Sequence, residues 1–174
     1  PQIIAAREKW MWRGQQRPDF AEATVEGEES VWDYPRPPRI EPLDAMVEVL
    51  TTERTIARSR RAVRVLETAG APTVYLPPED VDLAWISVGA GRSVCEWKGL
   101  AEALTVAGQE VGWRYISLFP SFTTLYGWIS FYPARIICRI DGETVKPQPV
   151  GFYGGWVTEN LRGPIKGGAG TADW

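Results

Sequence analysis

Alternation of apolar and polar residues dominates the chain between residues 46 and 76. Residues 46–50 and 54–57 alternate on either side of Thr51-Thr52-Glu53, which predicts a β-hairpin. Residues 62–67 alternate apolar and charged side chains, so we predict a strand there, with a short helix as the alternative. Residues 73–76 are rich in β-branched and aromatic side chains, which favours a further strand.

The second half of the chain repeats this pattern of short apolar runs broken by turn residues. We predict strands at residues 93–97 and 104–107, and a hairpin over residues 135–145 with Asp141-Gly142 as a type I′ turn. Residues 79–83 follow two prolines and carry acids, which is typical of a first helical turn. Gly89-Ala90-Gly91-Arg92 is interpreted as a turn. The pattern predicts a mostly β single domain of short antiparallel strands, arranged in two twisted sheets or a partly open barrel.

The N-terminal part of the chain has a different character. Residues 3–12 favour one or two helical turns, and residues 13–30 are polar and acidic. The three prolines in residues 35–38 force an extended path. We therefore expect an extended N-terminal arm (residues 1–30) ahead of a β-rich domain (residues 31–174). Trp32 and Tyr34 indicate that this stretch docks on a protein body, and a homodimer formed through the arm is one hypothesis.

Composition narrows the classes of function. The 174-residue chain has a net charge of −3, so we expect no nucleic-acid partner, because such proteins usually carry a basic excess. No apolar run approaches the roughly 20 residues that cross a bilayer, and residues 1–20 lack a signal-peptide core, so we expect no membrane partner and a cytoplasmic location. Histidine is absent, which excludes Ser-His-Asp triads and His-ligated zinc. Two cysteines are too few for a four-thiolate site, so we expect no metal and no cofactor.

Aromatic and glycine residues indicate a binding surface. The chain has nine tryptophans, and glycines alternate with aromatic residues over residues 151–158. We predict that an unidentified small molecule binds in an aromatic, glycine-lined pocket. On a strand over residues 95–99, Trp97 would line a cavity while Glu96 and Lys98 face the other side, although Cys95 and Trp97 fit a core equally well. The predicted ligand-binding residues are Trp97, Lys98, Tyr153, Trp156, Lys166 and Glu67.

Two other functions remain open. A metal-independent enzyme would use Glu67 as general base with Lys98 or Lys166 as its electrophilic partner, although Glu67 fits a structural ion pair as well. Alternatively, the Trp- and Pro-rich arm would make the protein an interaction module. Lys166-Gly167-Gly168 lacks the order and the following helix of a phosphate-binding loop.

Several motifs resemble one bacterial family. They are Arg-Val-Leu-Glu-Thr at 64–68, Cys-Glu-Trp-Lys-Gly at 95–99, Phe-Tyr-Pro at 131–133 and Phe-Tyr-Gly-Gly-Trp at 152–156. Over about residues 31–174 the chain resembles the domain-of-unknown-function family DUF427, which implies a β-rich domain. That family carries a provisional label as a predicted nucleotidyltransferase.

Nucleotidyl transfer requires closely spaced acids on a strand to hold divalent cations, and the nearest pair here is Asp80 and Asp82, after a proline pair. We therefore do not expect that reaction. The chain departs from the family pattern at Val150, where the family has glycine, and at Ala169 and Asp173, where it has proline and glycine.

Overall fold

The computed structural model describes residues 2–174, and the fold is mostly β, as predicted. One α-helix, α1, spans Gln2–Glu8, and short 3₁₀ turns span Val31–Asp33, Pro78–Asp80, Leu83–Trp85 and Pro120–Leu125. The strands are β1 (Glu29–Ser30), β2 (Arg39–Pro42), β3 (Val47–Leu50), β4 (Thr55–Ser59), β5 (Val63–Leu66), β6 (Thr73–Leu76), β7 (Ser87–Cys95), β8 (Gly99–Val106), β9 (Gln109–Leu118), β10 (Ile129–Phe131), β11 (Ile137–Ile140), β12 (Glu143–Thr144), β13 (Lys146–Pro147), β14 (Trp156–Val157) and β15 (Leu161–Arg162). No helix in residues 2–174 has the length and apolarity needed to cross a membrane.

Two antiparallel sheets form the body of the domain. The larger has seven strands in the order β2-β5-β6-β10-β9-β8-β7, and the smaller has four in the order β12-β11-β3-β4. Neither closes into a barrel, so of the two predicted arrangements the structure has separate sheets. The main core contains side chains from both sheets, among them Val49, Leu76 and Phe131. A second, aromatic core, which includes Tyr75 and Tyr115, contains side chains of β5, β6 and β9.

The predicted hairpins are present. Strands β3 and β4 pair across the turn at residues 51–54. Asp141 and Gly142 have φ values of 47° and 84° and connect β11 directly to β12, which is the backbone of a type I′ turn. The strands predicted at 62–67 and 73–76 correspond to β5 and β6.

The predicted strand through residues 93–97 is wrong at its end. Strand β7 ends at Cys95 and β8 begins at Gly99, so Glu96, Trp97 and Lys98 form the turn between them. Gly99 has a φ of 133°, and a Cβ there would lie 2.2 Å from the Ser117 carbonyl oxygen, so the chain reverses where only glycine fits. Residues 95–99 therefore do not form one continuous strand with two faces, although their side chains alternate along the sequence.

The predicted turn at residues 89–92 is also wrong, because these residues lie inside β7. The register of β7 against β8 shifts between Val88 and Arg92. The Arg92 guanidinium donates to the carbonyl oxygens of Gly89 and Gly91, at 3.0 and 2.9 Å. Small glycines thus allow an irregular stretch of strand rather than a reversal of the chain.

The N-terminal arm packs on the body of its own chain. Helix α1 forms where the sequence predicts it, and β1 pairs in parallel with β15 near the C-terminal end of the chain. Trp32 and Tyr34 are buried, as their predicted docking requires. The Trp32 ring lies edge-on to Trp12, Phe20 and Trp174, at centroid distances between 5.1 and 5.9 Å.

Candidate functional site

A cavity of about 390 Å³ lies against one face of the seven-stranded sheet. Strands β5, β6, β7 and β9 supply its floor, and the turn between β7 and β8 supplies Lys98. The arm contributes Lys9 and Trp10 to one side, and residues 152–155 with Lys166 close the other. Segments that are far apart in the sequence therefore build this site together.

Positive charge is concentrated in the cavity wall. Arg36, Lys98 and Lys166 all line it, and each is more than nine-tenths buried. Lys9 also lines the cavity, and the acids in its wall are Glu67 and Glu96. Four formal positive charges thus face two negative ones in a chain whose net charge is −3.

Arg36 is held by a set of hydrogen bonds that fixes its guanidinium. It donates to Glu67 Oε1 at 3.1 Å and to the carbonyl oxygens of Trp12 and Thr68, at 3.0 and 2.9 Å. The Trp10 ring lies 4.4 Å from the guanidinium carbon, in cation–π geometry. Glu67 therefore makes the ion pair that was one of its two predicted roles.

Lys98 differs from Arg36, because no carboxylate of the described residues forms an ion pair with its ammonium. Burial disfavours the charged form, but Cys95, Tyr75 and Glu67 nearby outweigh that effect and raise the pKa of Lys98 above its ordinary value. The side chain is therefore an ammonium at neutral pH. A buried cation without a paired anion is costly unless something in the cavity compensates it.

Lys166 also contacts the Trp10 ring. Its Nζ is 3.5 Å from the ring centroid and donates to the Trp174 carbonyl oxygen at 3.1 Å. Burial, followed by repulsion from Arg36, lowers the pKa of Lys166 to about 8. The charge of this wall of the cavity therefore changes near neutral pH.

Aromatic rings form the remaining walls. Trp113 and Tyr132 line the cavity with their ring centroids 4.6 Å apart, and Tyr115 and Tyr153 lie nearby. A Cβ at Gly154 would lie 2.1 Å from the Trp113 ring, so glycine is required for the indole to pack against this backbone. The predicted combination of glycine and aromatic residues thus occurs in the cavity wall, where Gly154 packs against the Trp113 indole.

Four of the six predicted ligand-binding residues line the cavity: Glu67, Lys98, Tyr153 and Lys166. Trp97 and Trp156 do not. Trp97 is buried in the aromatic core, and Trp156 lies in the main core, where its Nε1 donates to the Phe131 carbonyl oxygen at 2.9 Å. The expected pocket between Trp97, Tyr153 and Trp156 is therefore not formed.

Sequence reasoning missed Trp10, Arg36 and Trp113. Trp10 and Arg36 reach the cavity only through long-range packing, for which the local sequence carries no signal. Trp10 donates from Nε1 to Glu96 Oε1 at 3.0 Å, across 86 positions of the chain. Trp113 could have been found from the apolar alternation of β9.

The acid pair considered for nucleotidyl transfer has structural roles. Asp80 accepts hydrogen bonds from Ser59 Oγ and the Arg61 guanidinium, both at 2.6 Å. Asp82 Oδ1 accepts from the Ala84 backbone N–H at the start of a 3₁₀ turn. Within residues 2–174, no cluster of three cysteine, aspartate or glutamate side chains has an arrangement that could hold a metal ion.

Comparison with known proteins gives a family and no activity. The family model described as domain of unknown function (DUF427) matches residues 39–146, more than half of the chain, and the chain belongs to that family. No curated protein matches it. The matched region contains Glu67, Lys98 and Trp113, whereas Trp10, Arg36 and Lys166 lie outside it.

Proposed function

We propose that this member of the DUF427 family binds a small organic anion in the cavity beside Lys98. The observation that carries the proposal is the buried Lys98 ammonium, which lines an open cavity and has no ion-pair partner among the described carboxylates. A carboxylate or phosphate on a ligand would supply the missing negative charge. A charge-assisted hydrogen bond of this kind is about twice as strong as a neutral one.

The volume and the walls of the cavity support a ligand with a flat, apolar part. A volume of about 390 Å³ falls within the range of small-molecule sites. Trp113, Tyr132 and Tyr153 offer ring faces, and the exposed side chains of Val94 and Phe152 lie at the cavity. A planar anion would place its charge near Lys98 and its ring against these side chains.

Benzoate and benzamide test the proposal, because the two have the same shape and differ in charge. We expect isothermal titration calorimetry to detect benzoate binding, with benzamide weaker by about tenfold or more through loss of the charge interaction. Lys98→Met should abolish the difference between the two. Lys146→Met, which removes an exposed lysine outside the cavity, is the matched control and should leave it intact. Equal affinity for both compounds in the unmodified protein would contradict the proposal.

A second candidate function is a metal-independent enzyme that uses Glu67 with Lys98 or Lys166. The pKa of about 8 for Lys166 favours it, because a catalytic amine works best when its pKa lies near the working pH. Glu67 would have to act as base while it is paired with Arg36. Glu67→Gln separates the two functions, because it should leave benzoate binding in place but abolish any turnover that depends on the carboxylate.

A further inference from the structure

Beyond binding, we propose that Cys95 is a nucleophilic thiol that adds to an electrophilic carbon of an anionic ligand, with Lys98 stabilising the negative charge that develops. The inference rests on the proposed function, because the same cavity would hold the anion. Neither the family match nor the predicted site includes a role for this sulfur.

The tight turn after β7 brings the two side chains together. Cys95 is the last residue of β7 and pairs with Gly99, so Lys98 lies in the turn directly beside it. Both residues line the cavity, and Cys95 is only partly buried. Burial lowers the pKa of Lys98, and Cys95 is the first of the neighbours that raise it.

Lys98 is an independent indication that this sulfur faces a ligand site. Its side chain is 7% exposed, and no described carboxylate or carbonyl accepts a hydrogen bond from its ammonium. An ammonium beside the sulfur stabilises negative charge that develops on the ligand while the thiol adds to it. Lys98 can therefore serve both the anion of the ligand and the charge that develops during the reaction.

Tyr115 supplies a hydrogen-bond donor beside Cys95. Its side chain lines the cavity and interacts with Cys95. Burial, together with the neighbouring Tyr75 and Cys95, raises the pKa of Tyr115 well above its ordinary value, so the phenol keeps its proton. A protonated phenol can donate a hydrogen bond to an oxygen that gains charge during the reaction.

The step that these groups support is addition to the carbonyl of an aldehyde or 2-oxo acid. The sulfur–carbon bond forms while the carbon–oxygen π bond breaks, and its electron pair moves to the oxygen. The thiol proton passes to that oxygen, so no group leaves and no oxidant or reductant is needed. The product is a thiohemiacetal or thiohemiketal, which releases the ligand by the reverse step.

The second cysteine provides a control within the same molecule. Cys138 is buried in the main core, where burial raises the pKa of its thiol, and we expect it to be inert in the folded protein. The pair of reagents iodoacetate and iodoacetamide then tests Cys95, because both alkylate thiols and only iodoacetate is an anion. In each case the sulfur–carbon bond forms, iodide leaves and the thiol proton goes to solvent.

We expect peptide mass spectrometry of the folded protein to show alkylation at Cys95 and none at Cys138. Cys95 should react with iodoacetate about tenfold faster than free cysteine does at neutral pH, and faster than it reacts with iodoacetamide. Lys98→Met should remove the preference for iodoacetate and lower the rate, Lys98→Arg should retain the preference, and Lys146→Met should change neither. The comparison of the two reagents uses the unmodified protein, so it does not depend on whether any variant folds.

The outcomes separate this inference from the proposed function. If Cys95 reacts no faster than free cysteine with either reagent while benzoate binds, the thiol has no nucleophilic role and the binding proposal stands. If Cys95 reacts rapidly with both reagents but without preference for iodoacetate, the thiol is reactive but the anion site is overturned, and the inference falls with it. If Cys138 reacts as fast as Cys95, the reactivity does not come from the cavity and the inference fails.

Discussion

Val150 has a left-handed backbone conformation, with a φ of 71°, in the loop that leads to the cavity residues Phe152 and Tyr153. A β-branched side chain is strained in that region, and the Val150 side chain is exposed, so it gains little from packing. Glycine adopts the same conformation without the steric cost. We expect Val150→Gly to raise the free energy of unfolding by about 1 kcal/mol, measured by urea denaturation.

Val25 offers a matched control for this substitution. It is an exposed valine in a loop and is not among the residues with positive φ. Val25→Gly should lower the free energy of unfolding by a few tenths to about 1 kcal/mol, because glycine increases the entropy of the unfolded chain. Equal effects of the two substitutions would show that strain at residue 150 does not matter.

Glu67 reduces the positive charge of the cavity, and its removal should therefore strengthen anion binding. In Glu67→Gln we expect benzoate affinity to rise about threefold, and the free energy of unfolding to fall by about 1 to 3 kcal/mol because Arg36 loses its ion-pair partner. Glu110→Gln is the control, because Glu110 is exposed, pairs with Arg135 and does not line the cavity. Weaker benzoate binding in Glu67→Gln would indicate that the carboxylate itself contacts the ligand.

At the scale of single residues, the sequence predicted the polar part of the site better than its aromatic part. Lys98, Lys166 and Glu67 stand out because these charged residues lie within otherwise apolar or glycine-rich motifs. The local sequence around Trp97 and Trp156 does not distinguish these two indoles from that of Trp113. Which of the three indoles faces a cavity depends on turns and strand register, and these are set by contacts across the fold.

At the scale of elements, the reliable predictions were those with a local physical cause. The hairpin at Asp141-Gly142 follows from two residues that both tolerate positive φ. Strand β5 follows from alternation, and β6 from its β-branched and aromatic side chains. The pentad at residues 95–99 alternates over only five positions, and the close approach of Gly99 to Ser117 overrides that pattern. The sequence could not indicate this approach, because Ser117 belongs to a different strand.

The N-terminal arm is an element whose role can be tested through Trp10. The Trp10 indole contacts Lys9, Arg36 and Lys166 and donates a hydrogen bond to Glu96. We expect Trp10→Ala to lower the free energy of unfolding by about 2 to 3 kcal/mol, since it removes a buried aromatic ring and three cation–π contacts. Urea denaturation followed by circular dichroism measures this without dependence on the lost indole.

Met11 is the matched control for the arm, because it is the next residue and is exposed. Met11→Ala should leave the free energy of unfolding within about 0.5 kcal/mol of its original value. Analytical ultracentrifugation of both variants tests the homodimer hypothesis for the arm. A Trp10→Ala variant that keeps its stability but changes its oligomeric state would favour the arm as an interaction module.

At the scale of the whole molecule, the distribution of charge matters more than the total. The chain carries a net charge of −3, so its average field repels anions, whereas the cavity wall holds an excess of cations. Surface charges act over about 10 Å or less at ordinary salt, and the cavity charges act on a ligand in direct contact. Anion binding in this protein should therefore depend on the protonation of a few buried groups.

Lys166 makes this dependence measurable, because its pKa of about 8 lies well below the ordinary value of 10.5. As the pH rises through about 8, the folded protein loses the Lys166 charge, and we expect benzoate affinity to fall about three- to tenfold between about pH 7 and about pH 9. Over the same range the unfolded chain binds more protons at this residue than the folded one. The contribution of Lys166 to the free energy of unfolding therefore rises with pH, between its folded and unfolded pKa values.

Deprotonation of Lys166 lowers benzoate affinity and raises the free energy of unfolding as the pH rises, so a single variant tests both effects. Lys166→Met should flatten the fall in benzoate affinity measured by calorimetry and should also remove its share of the rise in stability measured by urea denaturation. Lys146→Met, at an exposed position, should change neither profile. If benzoate affinity in the unmodified protein stays constant up to about pH 9, Lys166 either keeps its proton or does not contact the anion. Calorimetry of Lys98→Met then shows whether Lys98 is the cation that holds the anion.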